Sequence, residues 1–162
     1  MSEVASTEAP AREAEPPVEV AHGDYVVSTD RSRIDVAAVH AFLRASYWSQ
    51  GIPEETLRRA IAGAIWIYHG REQVGFARAI TDRATFAYLS DVFIIEAHRG
   101  RGLSKLLLAV IMGHPSLQGL RRFSLTTRDA HALYAQFGFE VVGNPDRQME
   151  ILRPQIYLSS PT

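Results

Sequence analysis

The 162-residue sequence contains no cysteine. That absence excludes disulfides, thiolate metal ligands and a cysteine nucleophile. No stretch approaches the roughly 20 consecutive apolar residues that a membrane helix needs, and no charged-then-apolar leader is recognisable. We therefore expect no membrane partner and a cytoplasmic location. The six histidines are scattered without close metal-ligand spacing, so no metal cofactor is expected.

Lysine is nearly absent as well, because Lys105 is the only one among 17 basic residues. The net charge of −1 is unevenly distributed. Residues 1–22 hold five glutamates and one arginine, a balance of −4, so the remainder carries +3. A surplus of this size does not predict a nucleic-acid partner, which requires a clustered basic face.

The chain divides into a tail and one domain. Residues 1–22 are rich in Ala, Pro and Glu and contain no aromatic residue, a composition that predicts a disordered tail. Residues 23–162 carry the periodic patterns of a single domain, and no internal repeat is visible.

Hydrophobic periodicity predicts helices and strands in mixed order. Asp35 is the expected cap of a first helix, and Pro53 opens a second helix. The segments 64–68 and 73–80 read as a hairpin. Further predicted strands cover residues 86–95, 122–126, 140–142 and 149–152, and further helices cover residues 103–112 and 130–137. This order indicates an α+β (mixed α/β) fold.

The most informative segment joins a strand to a helix through a basic, glycine-rich turn. Gly100 and Gly102 lack side chains that would keep a phosphate from the backbone. Free amides at a helix N-terminus attract anions, and Arg99, Arg101 and Lys105 add positive charge. The turn is thus suited to a diphosphate, although glycine and arginine also occur in ordinary turns. Neither the P-loop nor the dinucleotide-binding spacing is present.

Two segments resemble the GCN5-related N-acetyltransferase (GNAT) superfamily. The run from Arg99 to Ser104 matches the pattern Gln/Arg-x-x-Gly-x-Gly/Ala, with Ser104 at the last small position. The run from Ala130 to Phe139 matches Ala-x-x-Leu-Tyr-x-x-x-Gly-Phe. The resemblance spans residues 24–152. It implies an acyl-CoA N-acyltransferase-like fold, with a mostly antiparallel twisted sheet, one splayed strand pair and about four helices.

The same resemblance implies where acetyl-CoA binds as co-substrate. The pantetheine arm is expected along the splayed strand and the diphosphate on the turn amides. Tyr134 is expected near the sulfur, as proton donor to the departing thiolate. Thr127 stands where the family often has Asn, which puts side-chain contacts to the pantetheine in doubt. The expected cofactor contacts are Val92, Phe93, Ile94, Arg99, Gly100, Arg101, Gly102, Leu103, Ser104, Lys105, Thr127 and Tyr134.

Acetyl transfer to an amine requires a base and a group that stabilises the oxyanion. We expect the Ile94 amide to hold the oxyanion and Asp91 to act as base or amine anchor. An equal alternative is that Asp91 lies at the start of the strand and its side chain only hydrogen-bonds the nearby backbone. Glu96 and His131 are more readily explained as solvated or capping residues.

The acceptor wall is expected where the first helix breaks. Tyr47 and Trp48 lie there, and an aromatic pair can hold a cationic amine. An equal alternative is that Trp48 only packs over the hydrophobic core under this loop. Thr126 is a further candidate for substrate contact, with strand packing as its alternative.

The sequence thus predicts an N-acetyltransferase acting on a primary amine of a small molecule, by direct attack without a covalent enzyme intermediate. The alternative is a catalytically silent acyl-CoA-binding regulatory module. Both a monomer and a homodimer remain open.

Overall fold

A computed structural model describes residues 16–61 and 64–158. It contains one six-stranded sheet in the order β1-β2-β3-β4-β5-β6. Strands β1 to β5 are antiparallel neighbours, and β6 runs parallel to β5. The strands are Glu19–His22 (β1), Tyr25–Ser28 (β2), Ala64–His69 (β3), Glu72–Thr81 (β4), Phe86–Ile94 (β5) and Arg122–Leu125 (β6). The mixed fold with a mostly antiparallel sheet is therefore confirmed.

Four α-helices in the described ranges cover the two faces of this sheet. They are Val36–Ala45 (α1), Glu54–Ala60 (α2), Leu103–Met112 (α3) and His131–Ala135 (α4). Side chains alternate along β4: Ala77 packs under α3 and α4, whereas Phe76 packs under α1 and α2. No helix in the described part of the chain is long and apolar enough to span a membrane.

Local signals explain where the helices begin. The Asp35 side chain accepts a hydrogen bond from the Ala38 amide at 3.0 Å, so the predicted cap of α1 is confirmed. Pro53 precedes α2, whose first turn carries Glu54 and Glu55 next to the positive end of the helix dipole. Helix α3 has the predicted bounds and ends at Gly113.

The structure differs from the sequence prediction at both ends of the domain. Residues 19–22, expected in the tail, form β1, which pairs with β2 and is held further by a hydrogen bond from Ser28 to Glu19. Residues 1–15 of the predicted tail lie outside the described residues. The predicted strands at residues 140–142 and 149–152 are not formed, and residues 140–156 are all solvent-exposed. Within the described chain these two segments pair with no other strand, and the outer edge of β6 is left unpaired.

Candidate active site

Strands β5 and β6 separate after a short paired stretch. Residues Phe86–Leu89 of β5 pair with Arg122–Leu125, but β5 continues to Ile94 while β6 ends. Residues 90–94 therefore pair only with β4 on one side. Their other side opens a wedge between the two parallel strands, as the resemblance to the GNAT superfamily implied for Val92, Phe93 and Ile94.

A β-bulge lies at the mouth of this wedge. Phe76 faces Phe93 and Arg78 faces Ser90, so two steps along β4 correspond to three along β5. The extra residue places Asp91 at φ 56°, in the left-handed region. Aspartate tolerates this region better than most residues, and a bulge re-aims the strand beyond it. The residue type at position 91 thus has a backbone reason as well as a chemical one.

Backbone groups of Ile94 point into the wedge. The Ile95 amide donates to the Val74 carbonyl at 2.9 Å, so Ile95 is directed toward β4. In an antiparallel ladder the adjacent residue is directed to the opposite side. The Ile94 carbonyl indeed accepts from Nε of Arg99 at 3.0 Å instead of from β4. The Ile94 amide is therefore directed toward the place predicted for the thioester carbonyl.

The turn before α3 presents a run of unbonded amides. Gly100 and Gly102 have φ values of 75° and 76°, which any L side chain would adopt only under strain. Within the described chain, none of the amides of residues 100–105 donates a hydrogen bond, and the Leu106 amide is the first to do so, to the Gly102 carbonyl. No side chain caps this helix. The amides thus remain available for an anion.

Open space lies beside the same two glycines. A Cβ built at Gly100 or Gly102 would meet no atom within 4 Å. The turn therefore has room for a diphosphate, and its donors fit the predicted CoA. Arg101 and Lys105 are exposed around it, Ser104 is half-buried and Leu103 is buried, so Leu103 offers only its amide. Arg99 is tied to Ile94, so its side chain also links the turn to the wedge.

Asp91 is engaged by two partners. Its Oδ2 accepts from Nε of Arg78 at 2.8 Å and pairs with Nη2 at 2.7 Å, while Oδ1 accepts from Nε1 of Trp48 at 3.2 Å. Its side chain is only 7% exposed. The carboxylate therefore connects β4, β5 and the end of α1. Because both oxygens are engaged within the protein, neither is free for the role of base or amine anchor that the sequence predicted.

An aromatic wall lies over this end of β5. The Phe42 ring stacks on Phe93 with centroids 3.7 Å apart, and Trp48 stands next to Phe42. Tyr47 contacts Trp48 edge-on at 5.0 Å. Trp48 is 44% exposed and Tyr47 is 56% exposed, so neither simply closes the core. Both side chains are accessible to a molecule that enters from this side.

Tyr134 of α4 belongs to the same hydrophobic cluster as Ile94 of β5 and Leu103 of α3. Its ring is buried, and burial raises the pKa of the Tyr134 hydroxyl, with smaller contributions from Asp129 and Tyr47. A phenol with a raised pKa keeps its proton at neutral pH and can donate it.

Arg128, between β6 and α4, contacts Tyr47 in the segment after α1. Its guanidinium carbon lies 3.9 Å from the Tyr47 ring centroid, within the range of a cation–π contact. Sequence reasoning missed Arg128 and Arg78. The alternation of β4 places Arg78 on the same face as Phe76, but the bulge that brings Asp91 to it has no visible sequence signal.

Other predicted residues have local roles. The Thr127 hydroxyl accepts from the Ala130 amide at 3.1 Å, so Thr127 supports the start of α4. The Thr126 hydroxyl accepts from Tyr88 at 3.1 Å. His131 is exposed on α4. Among the described residues, no cluster of three or more His, Asp or Glu side chains is placed to hold a metal.

Comparison with known proteins agrees with this geometry. A family model described as an acetyltransferase (GNAT) domain matches residues 61–141. The chain is 34% identical over 139 residues to a protein of Gibberella zeae named as an acetyltransferase, FG08082, covering 70% of this chain and 77% of that protein. The chain belongs to the GNAT family. It is therefore an acetyl-CoA-dependent acyltransferase by family, with acetyl-CoA as co-substrate.

Solved structures share the fold of this GNAT domain. A GNAT-family protein from Xanthomonas campestris pv. campestris superposes with a TM-score of 0.81 at 47% identity, covering 84% of this chain and 97% of that one. Rv2747 of Mycobacterium tuberculosis, solved in complex with CoA, superposes with a TM-score of 0.58 at 22% identity, covering 74% of each chain.

Proposed function

We propose that this protein transfers an acetyl group from acetyl-CoA to a primary amine of a small molecule by direct attack. The observation that supports the proposal is that two binding features follow one another along the chain from β5 to α3. Unbonded amides at residues 100–105 suit a diphosphate, and the wedge along β5 offers free backbone to the thioester arm. Acetyl-CoA supplies an activated thioester there, and the residues around it determine its orientation.

Two groups of this chain would stabilise the negative charge that develops during acetyl transfer. The Ile94 amide points into the wedge and would donate to the thioester oxygen as it gains negative charge. Tyr134 would give its proton to the departing thiolate; a phenol with the ordinary pKa of 10.0 carries that proton at neutral pH, and the raised pKa of Tyr134 leaves it so. Both groups are held by secondary structure, so little reorganisation is needed during the reaction.

The acceptor amine would enter between the aromatic wall and Tyr134. Tyr47 and Trp48 are exposed there and would pack against the acceptor, with Thr126 at the end of β6 as a further predicted contact. Asp91 would orient Trp48 and the bulge, because Arg78 and Trp48 already engage both carboxylate oxygens. The proton of the incoming ammonium would then leave through water.

One observation favours the second candidate, a silent acyl-CoA-binding module. Both oxygens of Asp91 are engaged, so the base predicted from the sequence is not free. Such a module would bind CoA on the same amides but transfer no acetyl group. The two candidates therefore differ in turnover and not in CoA affinity.

A screen of small amines tests the proposal. Full-length protein is mixed with acetyl-CoA and each amine, and released thiol is measured beside mass spectrometry of the acetylated product. We expect thiol release that depends on one class of amine and on the enzyme. Tight CoA binding without turnover on any amine would favour the silent module. Cell fractionation tests the expected cytoplasmic location.

A further inference from the structure

Residues 140–152, here called the C-terminal arm, carry apolar side chains into solvent. Met149 is 98% exposed, Ile151 89% and Val141 82%. Every residue from 140 to 156 is exposed. Val142 and Leu152 are exposed as well, so five residues of the arm present apolar side chains to solvent. Large exposed apolar surfaces mark interaction sites.

The arm is held at both of its ends. Before it, Phe139 packs on Phe123 of β6 with ring centroids 5.5 Å apart. After it, Tyr157 packs on the cluster under α1 and α2, and Leu158 lies against Gly51. The arm is therefore not a free terminus. It leaves one face of the domain and returns to the other with its apolar side chains pointing outward.

A second uncovered surface lies on the sheet of the same chain. Strand β6 ends the sheet, and no strand of the described residues pairs with its outer side. Phe86 of the adjacent strand β5 is 38% exposed, and Ile80 of β4, one strand further from the edge, is 48% exposed. Ile80 lies opposite Tyr88 and follows Phe76 by four positions, so these side chains share the face that carries α1 and α2.

Helices α1 and α2 cover only the other half of that face. The cluster beneath them includes Phe76 and Phe93 but none of Ile80, Phe86 and Tyr88. We call the latter three residues, together with the outer side of β6, the open sheet face. An unpaired edge next to apolar side chains is suited to the addition of another strand.

The charges of the two surfaces are complementary. The arm carries Glu140, Asp146 and Glu150 against the single Arg147, a balance of −2. Two exposed arginines, Arg121 and Arg122, lie where β6 begins. Opposite charges across an interface favour a specific register and exclude contacts between like surfaces.

We propose that the C-terminal arm of one copy binds the open sheet face of a second copy, so that two chains form a two-fold symmetric dimer. Each chain carries one arm and one open face, and a two-fold axis satisfies both pairs at once. The residues predicted as strands at 140–142 and 149–152 would then obtain the neighbouring strand that they lack within one chain. This inference is independent of the acetyl-transfer proposal.

Sedimentation equilibrium of the full chain tests the oligomeric state. We expect wild type at twice the chain mass of 18.0 kDa. The double variant Met149→Asp/Ile151→Asp should sediment as a monomer, since two charges would have to be buried in the interface. Ala41→Asp adds a charge at an exposed position of α1 and should remain a dimer. A monomeric wild type, or a dimer that the double variant leaves intact, overturns the proposal.

Cross-linking distinguishes a second copy from the chain's own arm. Because the chain has no cysteine, an Ile151→Cys chain and an Ile80→Cys chain can be made separately, mixed and treated with a short bismaleimide. We expect a cross-linked pair of the two chains, and none when Ala41→Cys replaces Ile80→Cys. A third chain carries both substitutions and is treated in the same way. Linkage only within this third chain, with no linked pair in the mixture, would show that the arm covers its own sheet, which contradicts the proposal.

Discussion

Individual side chains in this site have structural contacts beside the chemical roles that we propose for them. Asp91 is the left-handed residue of the bulge, and its carboxylate pairs with Arg78 and accepts a hydrogen bond from the Trp48 indole. Tyr134 is buried where its hydroxyl stays protonated, because burial raises its pKa. Substitutions that change one property at a time can separate these roles.

Tyr134→Phe should lower kcat at least tenfold and leave the Kd for CoA nearly unchanged, because it removes only a proton donor. Steady-state kinetics and calorimetry measure the two quantities. The substituted side chain keeps the aromatic ring that contacts Phe139, so the packing of α4 should be preserved. Equal turnover in the two proteins would remove Tyr134 as the acid.

The raised pKa of Tyr134 also predicts a pH dependence of stability. Since the folded state holds this proton more tightly than the unfolded state, the free energy of unfolding should be unaffected below the ordinary value of 10.0. It should fall as pH rises from there through the raised folded-state value. Urea unfolding of wild type and Tyr134→Phe at alkaline pH should therefore show a steeper loss in wild type. Parallel curves would contradict the shift.

Asp91→Gly should be more stable than Asp91→Ala by about 1 kcal/mol, because glycine adopts the left-handed region without the strain that a Cβ causes there. Both variants lose the whole carboxylate and its bonds to Arg78 and Trp48, so their difference isolates the backbone effect. Urea unfolding measures it. Identical unfolding free energies would argue against strain at the bulge.

Among the elements, the junction between β5 and α3 carries the proposed diphosphate site. Helix α3 begins without a side-chain cap, and its preceding turn leaves several amides unbonded. An uncapped helix start is unfavourable for folding unless a ligand or water satisfies it.

Gly102→Val should weaken CoA binding at least tenfold, because its side chain would project into the open space beside the turn. Backbone strain alone costs about 1–2 kcal/mol for a residue in this region. Gly119→Val is the matched control, since Gly119 has φ +70° and the same open surroundings but lies beyond the other end of α3. Calorimetry should show weakened binding for the first variant only; an equal loss in both would point to strain instead of the phosphate site.

The pairing of β1 with β2 leads to a separate prediction about N-terminal deletions. Deleting residues 1–15 should leave the melting temperature nearly unchanged, as expected for a disordered tail. Deleting residues 1–22 should lower it by several degrees, because β1 and the bond from Ser28 to Glu19 are lost. Thermal unfolding measures both. A large drop for the shorter deletion would show that the tail packs on the domain.

Over the whole molecule, local patterns predicted the fold better than the contacts of the site. Helix α3 has the predicted bounds and Asp35 caps α1, because periodicity and capping depend on neighbouring residues. Pairing of Asp91 with Arg78, and of Arg128 with Tyr47, depends on a bulge and on distant loops. No local pattern encodes such contacts.

The predicted strands at the C-terminus illustrate the same limit. Val141 and Ile151 have the residue types of strands, but a strand also needs a partner, and within the described chain this segment pairs with no strand although the outer edge of β6 is free. Sequence pattern thus identified segments that are able to pair without identifying what they pair with.

Calorimetric titration with CoA, dephospho-CoA and pantetheine tests the central claim most directly, because only the first two carry the diphosphate. We predict similar Kd values for CoA and dephospho-CoA, and binding of pantetheine that is at least tenfold weaker, since the unbonded amides at residues 100–105 would then have no anion to hold. No heat with CoA, or equal affinity for all three compounds, would contradict the account.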